Sequence, residues 1–206
     1  MTQPNCSAPF DLGTYQTDDS AKGKHGAYVG QTFWVEDKDP SAAIGQKSRR
    51  TNRMKQVLCV RNNCAINLKP GQLVLFEASG GAVYFSEVDG YAAVTAGLHC
   101  APVDDCIVAA GVPQYGVFYV VVNGPNNVIT QQANMAADIA VGDQLISSGA
   151  GTTLESAGTT AGRVIPLDTA DTDSVIRSSN VIGRALTGAI TTATETTILA
   201  SVNVRL

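Results

Sequence analysis

The sequence lacks long apolar runs. No stretch reaches the roughly 18 consecutive apolar residues that indicate a membrane-spanning helix. The opening Met-Thr-Gln-Pro-Asn has neither the basic segment nor the apolar segment of a secretory signal. We therefore expect neither a secreted nor a membrane-spanning protein.

Charged residues are also scarce, and the basic ones are unevenly placed. They make up 16% of the 206 residues, against about 25% in an average domain, so Ser, Thr, Asn, Gln and Gly must cover much of the surface. Ten of the fourteen Lys and Arg residues precede residue 70, and none lies between residues 70 and 162, where eight acidic residues lie. A surface poor in charge suits burial against a partner. The separation of the charges predicts that the basic N-terminal part and the acidic middle part meet different electrostatic environments.

Groups that could act as a nucleophile and its base are few. The chain has two histidines, His25 and His99. His99 precedes Cys100, but successive side chains in extended backbone point apart, so adjacency makes no catalytic dyad. The residues predict no enzyme activity, no catalytic residue and no cofactor.

The five cysteines and the aspartates of one loop are the candidate metal ligands. The spacings Cys59-x4-Cys64 and Cys100-x5-Cys106 are loose for a structural zinc site, and an intracellular chain favours reduced, buried thiols. Asp168, Asp171 and Asp173 lack the Gly and the final Glu of a calcium loop, which favours a solvated loop. We predict no metal site.

Short runs with a period of two dominate the second half of the chain. At the carboxyl terminus the apolar residues alternate with polar ones and share one face: Ile198, Ala200, Val202, Val204 and Leu206. Residues 115–122 form a nearly continuous apolar run, typical of a strand buried on both faces, and Asn123-Gly-Pro125 predicts a turn that ends this strand. Further strands are predicted at residues 54–60, 72–76, 82–86, 152–155, 162–166 and 181–187. Residues 140–147 are predicted as a turn that leads into a strand, and residues 131–139 as one short helix. This pattern predicts an all-β barrel or sandwich, with an irregular excursion over residues 90–111.

Residues 1–55 differ from the rest because their aromatic side chains follow no sustained period. We predict an extended N-terminal arm over residues 1–55 and a β body over residues 56–206. Aromatic residues such as Phe33 and Trp34 are too many for a solvated tail. They either dock onto a neighbouring subunit or partner, or complete the chain's own core.

A basic run spans the end of the predicted arm and the start of the body, and no acidic residue lies between residues 40 and 76. Its members are Lys47, Arg49, Arg50, Arg53, Lys55 and Arg61. Such a run could bind phosphates or an acidic protein surface. No aromatic residue lies between residues 47 and 61 to stack on bases, so we favour a solvated or protein-facing role over nucleic-acid binding.

The order of phrases in the second half resembles the tailed-phage capsid decoration, or cement, proteins. The phrases are Val117-Phe-Tyr-Val-Val-Val122, a short Ala-rich segment, Ala140-Val-Gly-Asp-Gln-Leu145, Gly183-Arg-Ala-Leu186 and Leu199-Ala-Ser-Val-Asn-Val-Arg-Leu206. The resemblance covers roughly residues 71–206. It implies a small β-barrel or β-tulip body and a homotrimer that binds the outside of phage heads and bridges subunits of the major capsid protein.

The expectation is therefore a structural virion protein on the outer capsid surface, made in the host cytoplasm. The candidate capsid-binding residues are Phe33, Trp34, Lys47, Arg49, Arg50, Arg53 and Lys55. On the arm hypothesis, deleting residues 1–50 leaves a folded trimer that no longer decorates heads. Two alternatives stay open, a nucleic-acid-binding protein that uses residues 47–61 and a tail or receptor-binding β module.

Overall fold

The computed structural model describes residues 8–17, 28–41, 49–77, 85–91, 100–130, 138–147, 162–167, 181–189 and 196–204. These residues form strands and turns, and no α-helix lies among them. The all-β prediction is therefore confirmed. The predicted helix at 131–139 lies almost wholly outside the described residues, as do the predicted strand at 152–155 and the aspartates at 168–173.

Eleven strands form a single sheet in the described part of the chain. They are β1 Gln16–Thr17, β2 Thr32–Lys38, β3 Arg49–Asn62, β4 Leu73–Phe76, β5 Glu87–Tyr91, β6 Cys100–Pro102, β7 Gly116–Ile129, β8 Gln144–Ser147, β9 Val164–Pro166, β10 Gly183–Ala185 and β11 Thr197–Asn203.

The main path of the sheet runs β6-β4-β5-β3-β7-β11-β10-β8-β9, with β1 beside β7 and β2 beside β3. The pairs are antiparallel except β3 with β5. The two ends of this path approach each other, because the Leu73 amide at the start of β4 donates to the Gly162 carbonyl at 2.7 Å, just before β9. The sheet is thus curled into a barrel-like body, and curling reduces the length of strand edge left open to solvent.

Strand β7 lies at the centre of this body and is buried on both faces. Phe118, Val120 and Val122 pack into one apolar cluster with residues of β3, β4 and β5. The alternate residues Val117, Tyr119 and Val121 pack into a second cluster with residues of β2 and β3. The burial predicted for residues 115–122 is confirmed from Gly116 to Val122, whereas Tyr115 precedes the strand and is 50% exposed.

The same strand is longer than predicted, because it passes through Asn123-Gly-Pro125 without ending. Up to Asn123 it pairs with β3, and from Asn123 to Ile129 it pairs with β11. Gly124 has a φ of 108°, which glycine adopts readily. At Asn123-Gly-Pro125, which predicted a turn, β7 therefore changes its pairing partner from β3 to β11.

The predicted alternation of the carboxyl-terminal strand is confirmed over β11. Ile198, Ala200 and Val202 are buried, whereas Thr197 and Asn203 are exposed. Ile198 and Ala200 pack with residues of β8, β9 and β10 in a third apolar cluster, whereas Val202 packs in the second cluster. The strand predicted at 54–60 lies within β3, and the predictions at 72–76, 140–147, 162–166 and 181–187 contain β4, β8, β9 and β10, which are shorter than predicted.

The sheet also includes a large part of the segment predicted as an arm. Strand β2 pairs with β3 from Thr32↔Leu58 to Lys38↔Arg49, and Phe33 and Val35 are buried in the second cluster. Because β3 runs continuously from Arg49, residue 55 is not a structural boundary. Residues 1–7, 18–27 and 42–48 of the predicted arm lie outside the described residues, and for them the arm stays a prediction.

Two predictions between residues 82 and 111 are only partly covered by the described residues. Of the strand predicted at 82–86, residues 85 and 86 form a turn and residues 82–84 lie outside the described residues; β5 begins at Glu87. The excursion predicted over residues 90–111 contains β6 and then a tight turn, in which the Ile107 amide donates to the Asp104 carbonyl at 3.1 Å. This turn brings two carboxylates into the interior.

Candidate functional site

The predicted capsid-binding residues do not form one surface. Phe33 is a core residue at 7% exposure, whereas Trp34 is 53% exposed. Arg49 and Arg53 are exposed, and Lys47 lies outside the described residues. Arg50 and Lys55, by contrast, turn into the protein.

Trp34 belongs to an exposed apolar patch on the outer face of β2 and β3. Glu36 lies opposite Met54 and Trp34 lies opposite Gln56, so Trp34 and Met54 are diagonal neighbours on one face. Met54 is 49% exposed. The intervening residue, Val35, is buried because it points to the other face of the sheet.

These two side chains line a groove with a volume of about 570 Å³, called the Trp34 groove below. Phe10 and Leu12 contribute further apolar surface, and the charged residues of its lining are Asp11, Glu36 and Lys38. Lys38 lies 3.6 Å from Asp11. The groove thus combines an aromatic side chain with a charged border, the usual anatomy of a protein contact.

Four residues of the basic run are neutralised within the chain. The ion pairs are Arg49 with Glu36, Arg50 with Asp37 and Asp105, Lys55 with Asp104 and Asp105, and Arg61 with Glu87. The partners come from distant parts of the sequence, which is why the run looked free of acidic neighbours. The described part of the run therefore offers no continuous cationic surface of the kind that nucleic-acid binding needs.

The interior holds a group of five charged side chains, called the buried charge cluster below. Its members are Asp37 on β2, Arg50 and Lys55 on β3, and Asp104 and Asp105 in the turn after β6. The Lys55 and Asp104 side chains are 0% exposed, and that of Asp105 is 3% exposed. Lys55 therefore cannot contact a partner, which corrects its assignment as a binding residue.

Lys55 lies between the two carboxylates of the turn. Its Nζ is 3.1 Å from Asp104 Oδ1 and 3.3 Å from Asp105 Oδ1. Strand alternation turns Lys55 inward, since its neighbours Met54 and Gln56 share the outer face. A charged group so deeply buried persists only with partners, and the turn supplies both.

Arg50 joins the turn to β2. Its Nη2 and Nε donate to the Asp37 carboxylate at 2.5 and 3.2 Å, and its Nη1 donates to Asp105 Oδ2 at 2.6 Å. The Asn127 amide donates to the same Asp105 oxygen at 2.8 Å. The planar guanidinium thus holds two carboxylates in fixed positions, and its side chain is only 15% exposed.

The two neighbouring aspartates titrate differently. Burial raises the pKa of Asp104 above its ordinary value, and the charge of Asp105 adds to that rise, although Lys55 opposes it. Burial acts in the same direction on Asp105, but Lys55 and Arg50 together outweigh it and lower its pKa. The two shifts are opposite in direction because Arg50 donates a hydrogen bond to Asp105, whereas Asp104 has Lys55 as its cationic partner.

The two oxygens of the Asp104 carboxyl group have different hydrogen-bond partners. Oδ1 accepts hydrogen bonds from Lys55 Nζ and, at 2.8 Å, from the Cys106 amide. Oδ2 is buried and has no hydrogen-bond partner among the described residues. Carboxylate oxygens of Asp104 and Asp105 lie within 4.8 Å of the Cys106 sulfur, a candidate metal-ligand set. The Lys55 ammonium already supplies positive charge at both carboxylates, so this donor set does not favour a metal.

The sequence pattern did not identify Asp104 or Asp105 as candidate site residues. The available signal was a pair of adjacent acidic residues inside an otherwise apolar stretch, Ala101-Pro-Val-Asp-Asp-Cys-Ile-Val108, together with a lysine at an inward position of a predicted strand. Either feature alone is common on protein surfaces. Their pairing depends on the tertiary contact between β3 and the turn after β6.

The cysteines that the structure describes are buried thiols. They are Cys59, Cys64, Cys100 and Cys106. Burial raises the pKa of Cys59 and of Cys100 to about 12, so both thiols stay protonated near neutral pH. The prediction of buried thiols is confirmed for these four, while Cys6, His25 and His99 lie outside the described residues.

The chain matches no protein-family model, and neither the curated proteins nor the solved structures contain a match to it. Within the residues that the structure describes, there is no helix with the length and apolar character needed to cross a membrane.

Proposed function

We propose that this chain is a structural virion protein that binds the outside of a phage head and bridges subunits of the major capsid protein. The observation that carries the proposal is Trp34, an aromatic side chain 53% exposed beside Met54 on the outer face of β2 and β3. The resemblance of residues 71–206 to capsid decoration proteins supplies the identity of the partner.

The geometry of the Trp34 groove supports a role in adhesion. Tryptophan is enriched among the residues that dominate binding free energies, because a large rigid ring loses little conformational entropy when it is buried. Trp34 is held in register by the pairing of β2 with β3, and its neighbours Phe33 and Val35 are anchored in the core. A contact residue on such a rigid strand is presented in one orientation.

Charged residues beside the groove would fix the orientation of the partner. Asp11, Glu36 and Lys38 belong to its lining, and Arg49 pairs with Glu36 at the exposed surface. Exposed charges at the border of an interface set association rate and register more than affinity. Arg49 and Lys38 can therefore act in capsid binding, whereas Phe33 and Lys55 stabilise the body.

The proposed assembly is a homotrimer, and a trimer presents three Trp34 grooves. Three linked contacts raise the overall affinity through effective concentration, so each groove needs to bind only weakly. A stable subunit interface buries on the order of 800 Å² per partner. A tail module would bind phage tails, and a nucleic-acid-binding protein would bind DNA. The test below distinguishes these two alternatives from binding to heads.

The test is decoration of heads by the Trp34→Ser variant. Heads of the encoding phage, assembled without this protein, are mixed with fluorescently labelled protein and sedimented. We expect the variant to lose at least tenfold in affinity, because removal of a dominant aromatic contact costs about 2 kcal/mol or more. Val141→Ser is the matched control, since Val141 is 71% exposed in the turn before β8, and it should bind like the wild type.

Undiminished decoration by Trp34→Ser would remove the groove from the binding surface. Labelled protein found on tails, or bound to phage DNA in a gel shift with steep salt dependence, would replace the proposal by one of the two alternatives.

A further inference from the structure

Lys55, Asp104 and Asp105 form an arrangement that can react. We propose that Lys55 Nζ and Asp104 Cγ condense within the folded chain into an amide bond, with Asp105 accepting the proton from the lysine. The product is an intramolecular isopeptide cross-link between β3 and the turn after β6. This inference concerns the interior of the body and does not depend on the proposed capsid role.

The reacting groups are already in contact and shielded from water. Nζ lies 3.1 Å from Asp104 Oδ1, and both side chains are 0% exposed. Groups held at this distance in one molecule react as if at about 10⁵–10⁸ M, which can offset the low reactivity of a carboxyl group towards an amine. The water produced leaves the interior, so the back reaction lacks its reactant.

Asp104 has the properties of the electrophile. Its raised pKa favours the neutral carboxylic acid, which an amine attacks far more readily than a carboxylate. The Cys106 amide donates to Oδ1 at 2.8 Å and can stabilise the negative charge that develops on this oxygen during the attack. Oδ2, which accepts no hydrogen bond from the described residues, is the oxygen that leaves.

Asp105 has the properties of the base. Its Oδ1 is 3.3 Å from Lys55 Nζ, within reach of the proton. Its other oxygen accepts from Arg50 at 2.6 Å and from the Asn127 amide at 2.8 Å, which fixes the direction of the carboxylate. The lowered pKa of Asp105 keeps this carboxylate ionised before the reaction.

The proton on Lys55 is the barrier to the reaction. Burial alone lowers the pKa of Lys55, but the charges of Asp104 and Asp105 outweigh burial and raise it. When Asp104 is protonated, its negative charge is lost and only Lys55 and Asp105 stay charged. Transfer of a proton from Lys55 to Asp105 then neutralises both of them. In a water-excluded site such a neutral pair costs less than it does in water.

The atoms and electrons balance without a further reactant. Asp105 takes one proton from the ammonium, and the freed lone pair forms the N–C bond to Asp104 Cγ. The C–Oδ2 bond breaks, and the hydroxyl leaves with a second proton from the nitrogen, relayed by Asp105, as water. The amide keeps the third N–H and Oδ1, and Asp105 retains a proton that exchanges with solvent.

The cross-link would replace a buried ion pair by a neutral amide. It removes the desolvation cost of two charges and joins residues 49 positions apart in the chain. Covalent closure of such a loop restricts the unfolded chain in the way that a disulfide does. The body would gain this restraint without oxidation of its buried thiols.

The test is the mass of the intact, purified full chain after denaturation. We expect the wild-type mass to be lower by one water than the mass of the sequence, and peptide mapping to show residues 55 and 104 in one branched fragment. The Asp105→Asn variant keeps the shape of the base but removes its ability to accept the proton, so it should fold and show the full mass. Far-UV circular dichroism checks that it folds.

The Lys55→Met variant separates the cross-link from other losses of water. Cyclisation of an aspartate to a succinimide also removes one water, but it does not need the lysine. A wild-type protein of full mass after prolonged incubation at neutral pH overturns the proposal. So does a dehydrated Lys55→Met variant, or a branched fragment that contains Asp105 in place of Asp104.

Discussion

At the scale of single residues, two adjacent arginines have opposite roles. Arg49 is 61% exposed beside Glu36, whereas Arg50, at 15%, connects Asp37 to Asp105. Exposed ion pairs add little to stability, while removal of one member of a buried pair leaves an uncompensated charge. The sequence Arg49-Arg50 does not distinguish them, because the difference lies in which face of β3 each one occupies.

The Arg50→Gln variant should be less stable than the wild type by about 3 kcal/mol at neutral pH, the low end of the range for a broken buried pair. Burial alone would raise the pKa of Asp105, but Lys55 and Arg50 together lower it below its ordinary value. A lowered carboxyl pKa contributes stability above the unfolded value, and this contribution is lost as pH falls. The difference between variant and wild type should therefore shrink below about pH 4.

Urea unfolding at several pH values measures this effect. The Arg49→Gln variant is the matched control and should unfold like the wild type across the range. A destabilisation by Arg50→Gln that stays constant down to about pH 3 would show that the guanidinium acts by packing and not by charge.

At the scale of elements, strand β7 carries the architecture because it pairs with β3 in its first half and β11 in its second. The exchange of partners occurs at Gly124. A Cβ at this position would lie 2.8 Å from the Cα of Lys55, so the backbones of β7 and β3 are in direct contact there. Glycine permits both the approach and the positive φ.

The Gly124→Ala variant should therefore lose stability through strain and steric overlap together. Gly142→Ala is the matched control, since Gly142 also has a positive φ, of 96°, but an added Cβ there would meet no heavy atom within 4 Å. We expect about 1–2 kcal/mol for the control and a clearly larger loss for Gly124→Ala, measured as urea midpoints. Equal losses would mean that the contact with Lys55 relaxes freely.

Periodicity in the sequence predicted the strands whose two faces differ in polarity or are both apolar, such as β11 and the first half of β7. It missed β2, although Phe33 and Val35 alternate with Trp34 and Glu36. The inward position after Val35 is Asp37, whose charge hides the pattern until Arg50 is known to neutralise it. The Trp34 groove was partly predictable from exposed aromatics, but the buried charge cluster depends on contacts between distant segments.

At the scale of the whole molecule, the N-terminal segment is structural where the structure describes it. Phe33 and Val35 of β2 pack with Val57 and Tyr119 in the second cluster, on the same face of the sheet. Removing residues 1–50 would therefore uncover a core cluster and remove two members of the buried charge cluster. The deletion that was expected to leave a folded trimer is now expected to disrupt the body.

Circular dichroism and urea unfolding of the chain without residues 1–50 check this expectation. We expect loss of cooperative unfolding, because truncation of one buried aromatic alone costs about 3–5 kcal/mol and this deletion removes a strand as well. The Phe33→Ala variant, with a loss of about 3–5 kcal/mol, provides the single-site comparison. A truncated chain that unfolds cooperatively at the wild-type midpoint would restore the arm hypothesis for the whole segment.

The pairing of β2 with β3 also determines how the body responds to mechanical load. Trp34 and Met54 lie on neighbouring antiparallel strands, so a pull along the strand axis shears many backbone hydrogen bonds at once, whereas a perpendicular pull opens them one after another. Just beneath, Lys55 and Arg50 on β3 pair with the turn after β6, and Arg50 also pairs with Asp37 on β2. The two strands that present Trp34 and Met54 are thus cross-braced to each other and to the interior by ion pairs as well as by backbone hydrogen bonds.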